Sequence, residues 1–200
     1  MKARRWRYIL LMALSLAAAL TGCASQTPAP ERYTLPEVSI EAPGGTEAPH
    51  ELRLAEPRLA HYLDDEGIVM QVDDITLVAA RGHQWAEPLG QQLQRGLRDR
   101  LAARLPDTRV LLGRPGPREE TLRLTLEVDR FQGRHDGLAV IGGRWRLEAA
   151  DGTLLAMDGL RAEVALAADG YPALVRALGQ GWDAVADDLA EAIRQAQRQQ

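Results

Sequence analysis

Leucine spacing sets the first pattern. In "WAEPLGQQLQRGLRDRLAARLP", Leu89, Leu93, Leu97, Leu101 and Leu105 recur at every fourth residue, which lines one side of a helix with apolar groups. Pro88 suits the first turn, Arg98, Arg100 and Arg104 lie towards the negative end of the helix dipole, and Pro106 helps to stop it. A second stripe runs through Leu174, Leu178, Trp182, Val185, Leu189 and Ile193. Asp169 is placed to cap that helix and Pro172 sits in its first turn. Gly179 and Gly181 interrupt it. Each costs about 1 kcal/mol against Ala, so they mark either a close approach to a sheet or a local break.

Between these stripes the period changes to two. "HELRLAEP" carries Leu52 and Leu54 as a strand, "GIVMQV" and "ITLVAA" pair through an Asp73-Asp74 turn, and "TRVLL" forms another strand. "ETLRLTLEVDRF" alternates: Leu122, Leu124, Leu126 and Val128 face one way, Arg123, Thr125, Glu127 and Asp129 the other. Asp136-Gly137 turns it into "LAVIGGRWRLEA", and Asp151-Gly152 turns that into "TLLAMDGLRAEVAL". The three make an antiparallel meander. "YTLPEVSI" reads as a short, Pro-interrupted edge strand and "EAPGGTEAPH" as a loop. Two one-sided helices need a surface to cover, so the expected class is α/β: one mixed sheet packed by two long amphipathic helices in a layered domain.

The start of the chain has a different pattern. "MKARRWR" is basic, "YILLMALSLAAAL" is apolar, and Leu20-Thr21-Gly22-Cys23 follows. A basic start and a short apolar stretch make a secretory signal, too short for a comfortable membrane span. "LTGC" resembles the bacterial lipobox. That resemblance implies cleavage between Gly22 and Cys23, a diacylglyceryl group on the thiol and an acyl group on the new amino terminus. Cys23 is the single cysteine of the chain, so it has no disulfide partner within it. Ala24 and Ser25 follow, with no Asp to act as an inner-membrane retention signal, and the implied destination is the outer membrane, lipid-anchored, with the body facing the periplasm. The expected organisation is a signal over residues 1–22, a lipidated Cys and flexible tether over 23–32, and one domain over 33–200.

Charge narrows the function. Of 24 basic residues four leave with the signal, so 20 remain against 28 acids, a net of −8. Nucleic acid is an unsuitable partner for such a body. Lys2 is the one lysine, so the processed chain has no Schiff-base or phosphate-loop lysine. Its two serines, Ser25 and Ser39, sit in no nucleophile elbow. His50, His61, His83 and His135 are scattered without metal-ligand spacing. The acidic pairs Asp64-Asp65, Asp73-Asp74 and Asp187-Asp188 lack a calcium-loop spacing. No catalytic residue, metal or cofactor is expected, and a binding protein remains. Among the few aromatics, Trp182 and Trp145 fall on core faces, while Trp85 is either a staple over the first helix or an exposed contact.

The segments "QWAEPLGQQL", "LRDRLAARLP", "VDRFQGRHDGLAVIGGRW" and "DGYPALVRALGQGWDAVADDLAEAI", in this order and spacing, resemble the PqiC (YmbA) family of ABC-type transport auxiliary lipoproteins. The resemblance runs from Tyr33 to the last helix. Members often place two aromatics before "TL"; here the first is Arg32. It implies an anticodon-binding-domain-like α/β fold without catalysis. It also implies an auxiliary or docking subunit that works with an MCE-domain inner-membrane protein (PqiB-like) in lipid transport between the membranes, in support of envelope integrity. A body this small cannot encircle a tube alone, so a homo-oligomeric ring is expected. Tyr33 and Trp85 are the candidate partner contacts. The alternative is a lipoprotein that assists outer-membrane barrel or lipopolysaccharide assembly.

Overall fold

The computed structural model describes residues 28–38, 48–113 and 121–199. The signal, Cys23 and most of the tether lie outside them, as do Ser39 and most of the predicted loop at 41–50. The elements in order are β1 (Glu31–Tyr33), β2 (His50–Leu54), β3 (Arg58–Leu59), β4 (Gly67–Gln71), β5 (Leu77–Trp85), α1 (Leu89–Arg104), β6 (Thr108–Leu112), β7 (Thr121–Arg134), β8 (Leu138–Glu148), β9 (Leu154–Ala165) and α2 (Tyr171–Gln197). A 3-10 turn at His61–Leu63 leads into β4.

All nine strands join one mixed sheet organised on β7. One side of β7 carries β8, which carries β9, both antiparallel: the expected meander, with Leu126 opposite Trp145 and Ile141 opposite Ala162. Three short parallel strands tile the other side of β7 in succession. β2 pairs at Thr121 to Leu124, β3 at Glu127 and Val128, and β4 at Gly133 and Arg134. β6 lies outside β2, and β5 then β1 lie outside β4.

The two stripes bury as their spacing requires. Leu93, Leu97 and Leu101 of α1 and Leu174, Leu178, Trp182, Val185, Leu189 and Ile193 of α2 are all buried. α2 is continuous and packs against β8, β9 and α1. Its glycines permit contact and mark no break. A Cβ on Gly181 would stand 2.8 Å from the Ile141 side chain, and one on Gly179 2.8 Å from the Pro36 ring.

Several local readings are corrected. Asp169 does not cap α2; Gly170 holds the N-cap position with φ 97°, and Pro172 occupies the first turn as expected. Pro88 is the N-cap residue of α1, one place before its first turn. The edge strand in "YTLPEVSI" is shorter and earlier, ending at Tyr33, because Pro36 and the residues beside it leave the sheet to lie against the two helices. β5 continues through the polar "RGHQ" to Trp85.

Candidate docking site

The segment that follows the tether is clamped to the body over six residues. β1 pairs parallel with the end of β5, Glu31 to His83, Arg32 to Gln84 and Tyr33 to Trp85. The Ala86 N–H donates to the Tyr33 carbonyl at 2.8 Å. The Leu35 N–H donates to Gln92 Oε1 of α1 at 3.1 Å. Pro36 lies against Gly179 of α2, and its carbonyl accepts from Arg100 Nη2 at 3.0 Å. A pull on the tether is therefore carried into β5 and both helices.

Tyr33 is half-buried at this entrance. Its hydroxyl donates to the Glu31 carboxylate and lies 3.0 Å from His83 Nδ1, which donates to it as the N–H tautomer. The Glu31 hydrogen bond, with burial and the Glu31 charge adding to it, pushes the Tyr33 hydroxyl up to about 12, so it stays a neutral donor at any physiological pH. The His83 ring stacks on Tyr171, centroids 4.0 Å apart and planes 19° from parallel. Tyr33, His83 and Tyr171 thus form a polar-rimmed aromatic cluster that joins β1, β5 and the start of α2. Spacing along the chain gives no sign of it, since its members come from three distant segments.

Trp85, the other candidate contact, is only 4% exposed. Its ring lies 6.0 Å from Phe131, which meets Trp182 edge-on at 5.9 Å. Of its two readings the structure takes the packed one, because β5 extends to Trp85 and turns that side chain into the core. Trp182 is fully buried, and its indole N–H donates to the Leu93 carbonyl at 3.3 Å.

Arg100 groups by sequence with the cations at the helix end, but it is 1% exposed. It donates to Asp183 Oδ1 at 2.8 Å, to the Gly96 carbonyl at 3.2 Å and to the Pro36 carbonyl at 3.0 Å. One guanidinium thereby ties α1, α2 and the entering chain. The Asp183 side chain is 41% exposed, so water screens part of the pair. Arg100→Met should cost about 2–3 kcal/mol, since hydrogen bonds to charged groups contribute roughly 1.5–3 kcal/mol and the released Asp183 rehydrates. Arg100→Lys should recover little of it, because a compact ammonium does not reproduce the planar fork. Urea unfolding checks both; a loss below about 0.5 kcal/mol, the range of neutral surface changes, would mean that Arg100 is not a brace.

A cleft of about 390 Å³ opens beside this brace, between residues 34–38 and α1. The carboxylates on its α1 side are engaged: Glu87 with Arg95, and Asp99 with Arg98 at 2.7 Å. Elsewhere Asp73 Oδ1 accepts from the N–H groups of Ile75 at 2.9 Å and Thr76 at 2.7 Å, which holds its carboxyl below the usual range. Asp187 is held low by Arg104, 2.6 Å away. His61 lies 3.7 Å from Asp64 in the 3-10 turn, and His135 stands exposed between β7 and β8. Among the described residues no group of three His, Cys, Asp or Glu side chains is arranged to hold a metal ion, and no helix is long and apolar enough to cross a membrane.

Exposed apolar groups gather at two places. Val72, Ile75, Leu77 and Val78 stand at the β4–β5 hairpin, and Leu154 and Met157 on β9. The lining of a small groove beside Met157 includes Trp145, Thr125, Arg144 and Arg146.

Residues 33–190 match the model of the ABC-type transport auxiliary lipoprotein component family. The intermembrane transport lipoprotein PqiC of Escherichia coli is 32% identical over 176 residues, covering 88% of this chain and 92% of that protein; PqiC of Shigella flexneri matches equally. A crystal structure of an uncharacterised protein, 30% identical, superposes with a TM-score of 0.73 over 83% of this chain and 99% of its own. A protein from Xanthomonas campestris, 19% identical, shares the fold with a TM-score of 0.65 over 86% of this chain and 96% of its own. The chain belongs to the ABC-type transport auxiliary lipoprotein component family.

Proposed function

We propose that this protein is the outer-membrane docking subunit of an MCE-type system that moves lipid between the membranes. Cys23 carries the lipid after cleavage behind Gly22, and the tether ends at residue 30, two residues earlier than the sequence suggests, because Glu31 and Arg32 already pair with β5. The body over 33–200 works on the periplasmic face, without catalysis, as a grip for an MCE-domain protein of the inner membrane. A homo-oligomeric ring of these bodies would surround the end of that partner. The observation that carries the reading is the family match over 33–190 behind a lone lipobox cysteine; the engaged carboxylates support it. The relatives' role in intermembrane transport comes over on that basis. The Tyr33, His83 and Tyr171 cluster is the proposed contact at the entrance, in place of the buried Trp85.

The test is co-purification. The acylated protein, solubilised in mild detergent, should retain an MCE-domain protein of the same cell at micromolar concentration, in a complex larger than one copy of each. Retention of an outer-membrane barrel instead, with no MCE-domain protein, would overturn the assignment.

A further inference from the structure

Four apolar side chains crowd the turn between β4 and β5 with little to cover them: Val72 is 48% exposed, Ile75 86%, Leu77 41% and Val78 47%. The turn is well built. Asp73 closes it through the N–H groups of Ile75 and Thr76, the Val72 N–H donates to the Thr76 carbonyl at 3.0 Å, and Met70 pairs with Val78. A rigid turn that displays aliphatic groups to solvent calls for a cover.

The register says where this turn points. β1 runs parallel to β5, with Glu31 beside His83. At Glu31, β1 therefore points back towards the Leu77 end of β5 and the turn. Cys23 stands eight residues before Glu31, and eight residues before His83 on the neighbouring strand is Ile75. An eight-residue tether reaches at most about 29 Å. The six residues from His83 to Leu77 already take up roughly 20 Å. The turn is therefore within reach of a membrane that holds the Cys23 lipid.

We propose that the β4–β5 turn is a second membrane contact, in which Val72, Ile75, Leu77 and Val78 enter the interfacial layer of the membrane that holds the lipid anchor. This rests on the acylation of Cys23. Charge attraction does not drive the contact, because Asp73 and Asp74 flank the apolar groups and the processed chain is net acidic. The two carboxylates hold the tip at headgroup depth, and binding tolerates salt. The contact fixes the tilt of the body, which a single tether alone leaves free.

The full acylated chain is the material for the test. Cys23 as a thioether offers no thiol, so Ile75→Cys introduces the single labelling site, on a side chain exposed enough to replace without disturbing the core. Ala150→Cys, in the exposed turn between β8 and β9, is the control. Glu148 beside it pairs with Arg123 at the start of β7, whereas Met70 and Gln71 pair with Gly133 and Arg134 at its end. The two probes thus stand at opposite ends of the sheet. In vesicles of phosphatidylethanolamine with a minority of phosphatidylglycerol, a polarity-sensitive dye at 75 should shift to the blue. It should also be quenched by a headgroup-depth nitroxide lipid and shielded from aqueous iodide at low and high salt alike, while a dye at 150 stays open to iodide. A dye at 75 open to iodide overturns the proposal. So does one shielded from both quenchers, the sign of a second copy or a protein partner on the tip. Mass measurement of the N-terminal peptide reads the anchor separately. An acylated Cys23 with an open probe removes the tip contact alone, and a bare Cys23 removes the anchor together with the tip contact that rests on it.

Discussion

Gly143→Ala is expected to destabilise the protein by more than about 4 kcal/mol, in the range reserved for a named structural failure. A Cβ at position 143 would lie 2.0 Å from the Glu127 carbonyl oxygen and 3.0 Å from both the Glu127 carbonyl carbon and the Val128 Cα. These are backbone atoms of the neighbouring strand, so no rotamer change relieves the clash. The ladder is already irregular here, since the register between β7 and β8 shifts between Val128 and Arg130. β7 also carries β2, β3 and β4 on its other side. Pushing it away from β8 disturbs the strand on which the sheet is organised. Whole-domain stability is typically about 5–15 kcal/mol, so the variant should unfold at a much lower urea concentration or fail to accumulate. Gly82→Ala is the control. Nothing lies within 4 Å of its Cβ position, and its effect should stay within about 0.5 kcal/mol. Equal unfolding midpoints for the two variants would show that β7 and β8 separate here without cost.

What the sequence shows of this fold follows the range of the forces concerned. The Leu89 to Leu105 stripe and the Leu122 to Val128 alternation are local, because a helix or strand with one covered face writes its period into the chain. The meander is legible for the same reason, since Asp136-Gly137 and Asp151-Gly152 join strands that neighbour one another in sequence. The tiling of β7 by β2, β3 and β4 is not. Parallel pairing joins segments more than 60 residues apart, Leu52 with Leu122 for one, and leaves no local period. The second half of β5 escapes a reading by period because it bears the polar "RGHQ": β1 covers its edge over three residues and neither face is fully packed. Arg100 is misplaced by sequence because a charged residue one position from the leucine stripe looks like solvent-facing surface. Its acceptors, Asp183 and Pro36, come from segments 83 and 64 residues away.

The site divides in the same way. The proposed anchor Cys23 lies outside the described residues and rests on chemistry alone, since a lone thiol behind a signal has a restricted set of uses. The Tyr33, His83 and Tyr171 cluster and the apolar turn are not legible in the sequence, since both depend on where the sheet places β1 and β5. Tyr33 draws notice from its position at the head of the resemblance, and it stands beside the entrance of the tether. Trp85 draws notice from its polar neighbours, and it packs against Phe131.

The second large effect is on location and leaves stability alone. A chain with Cys23→Ser, exported behind a signal that an ordinary peptidase removes, should be recovered in the soluble periplasmic fraction and not on the outer membrane. Burying an acyl chain contributes about 0.8 kcal/mol per methylene, one myristoyl chain alone binds with roughly 10⁴ M⁻¹, and stable anchoring takes two such signals. Losing every chain therefore lowers the membrane-bound fraction by several orders of magnitude. The β4–β5 turn cannot make up the loss. Each aliphatic side chain contributes about 1.5–3 kcal/mol when wholly buried, and these four are already partly covered where they stand. The fold should be untouched, because the described core begins at Leu35 and the first described strand at Glu31. The melting temperature of the Cys23→Ser chain should thus match that of the acylated protein in detergent to within the error of the measurement. Fractionation and a thermal melt decide it together. A Cys23→Ser chain that stays on the outer membrane would show that a partner protein, and not lipid, holds this body in place. One that melts early would show that residue 23 has a structural part that the fold gives no reason to expect.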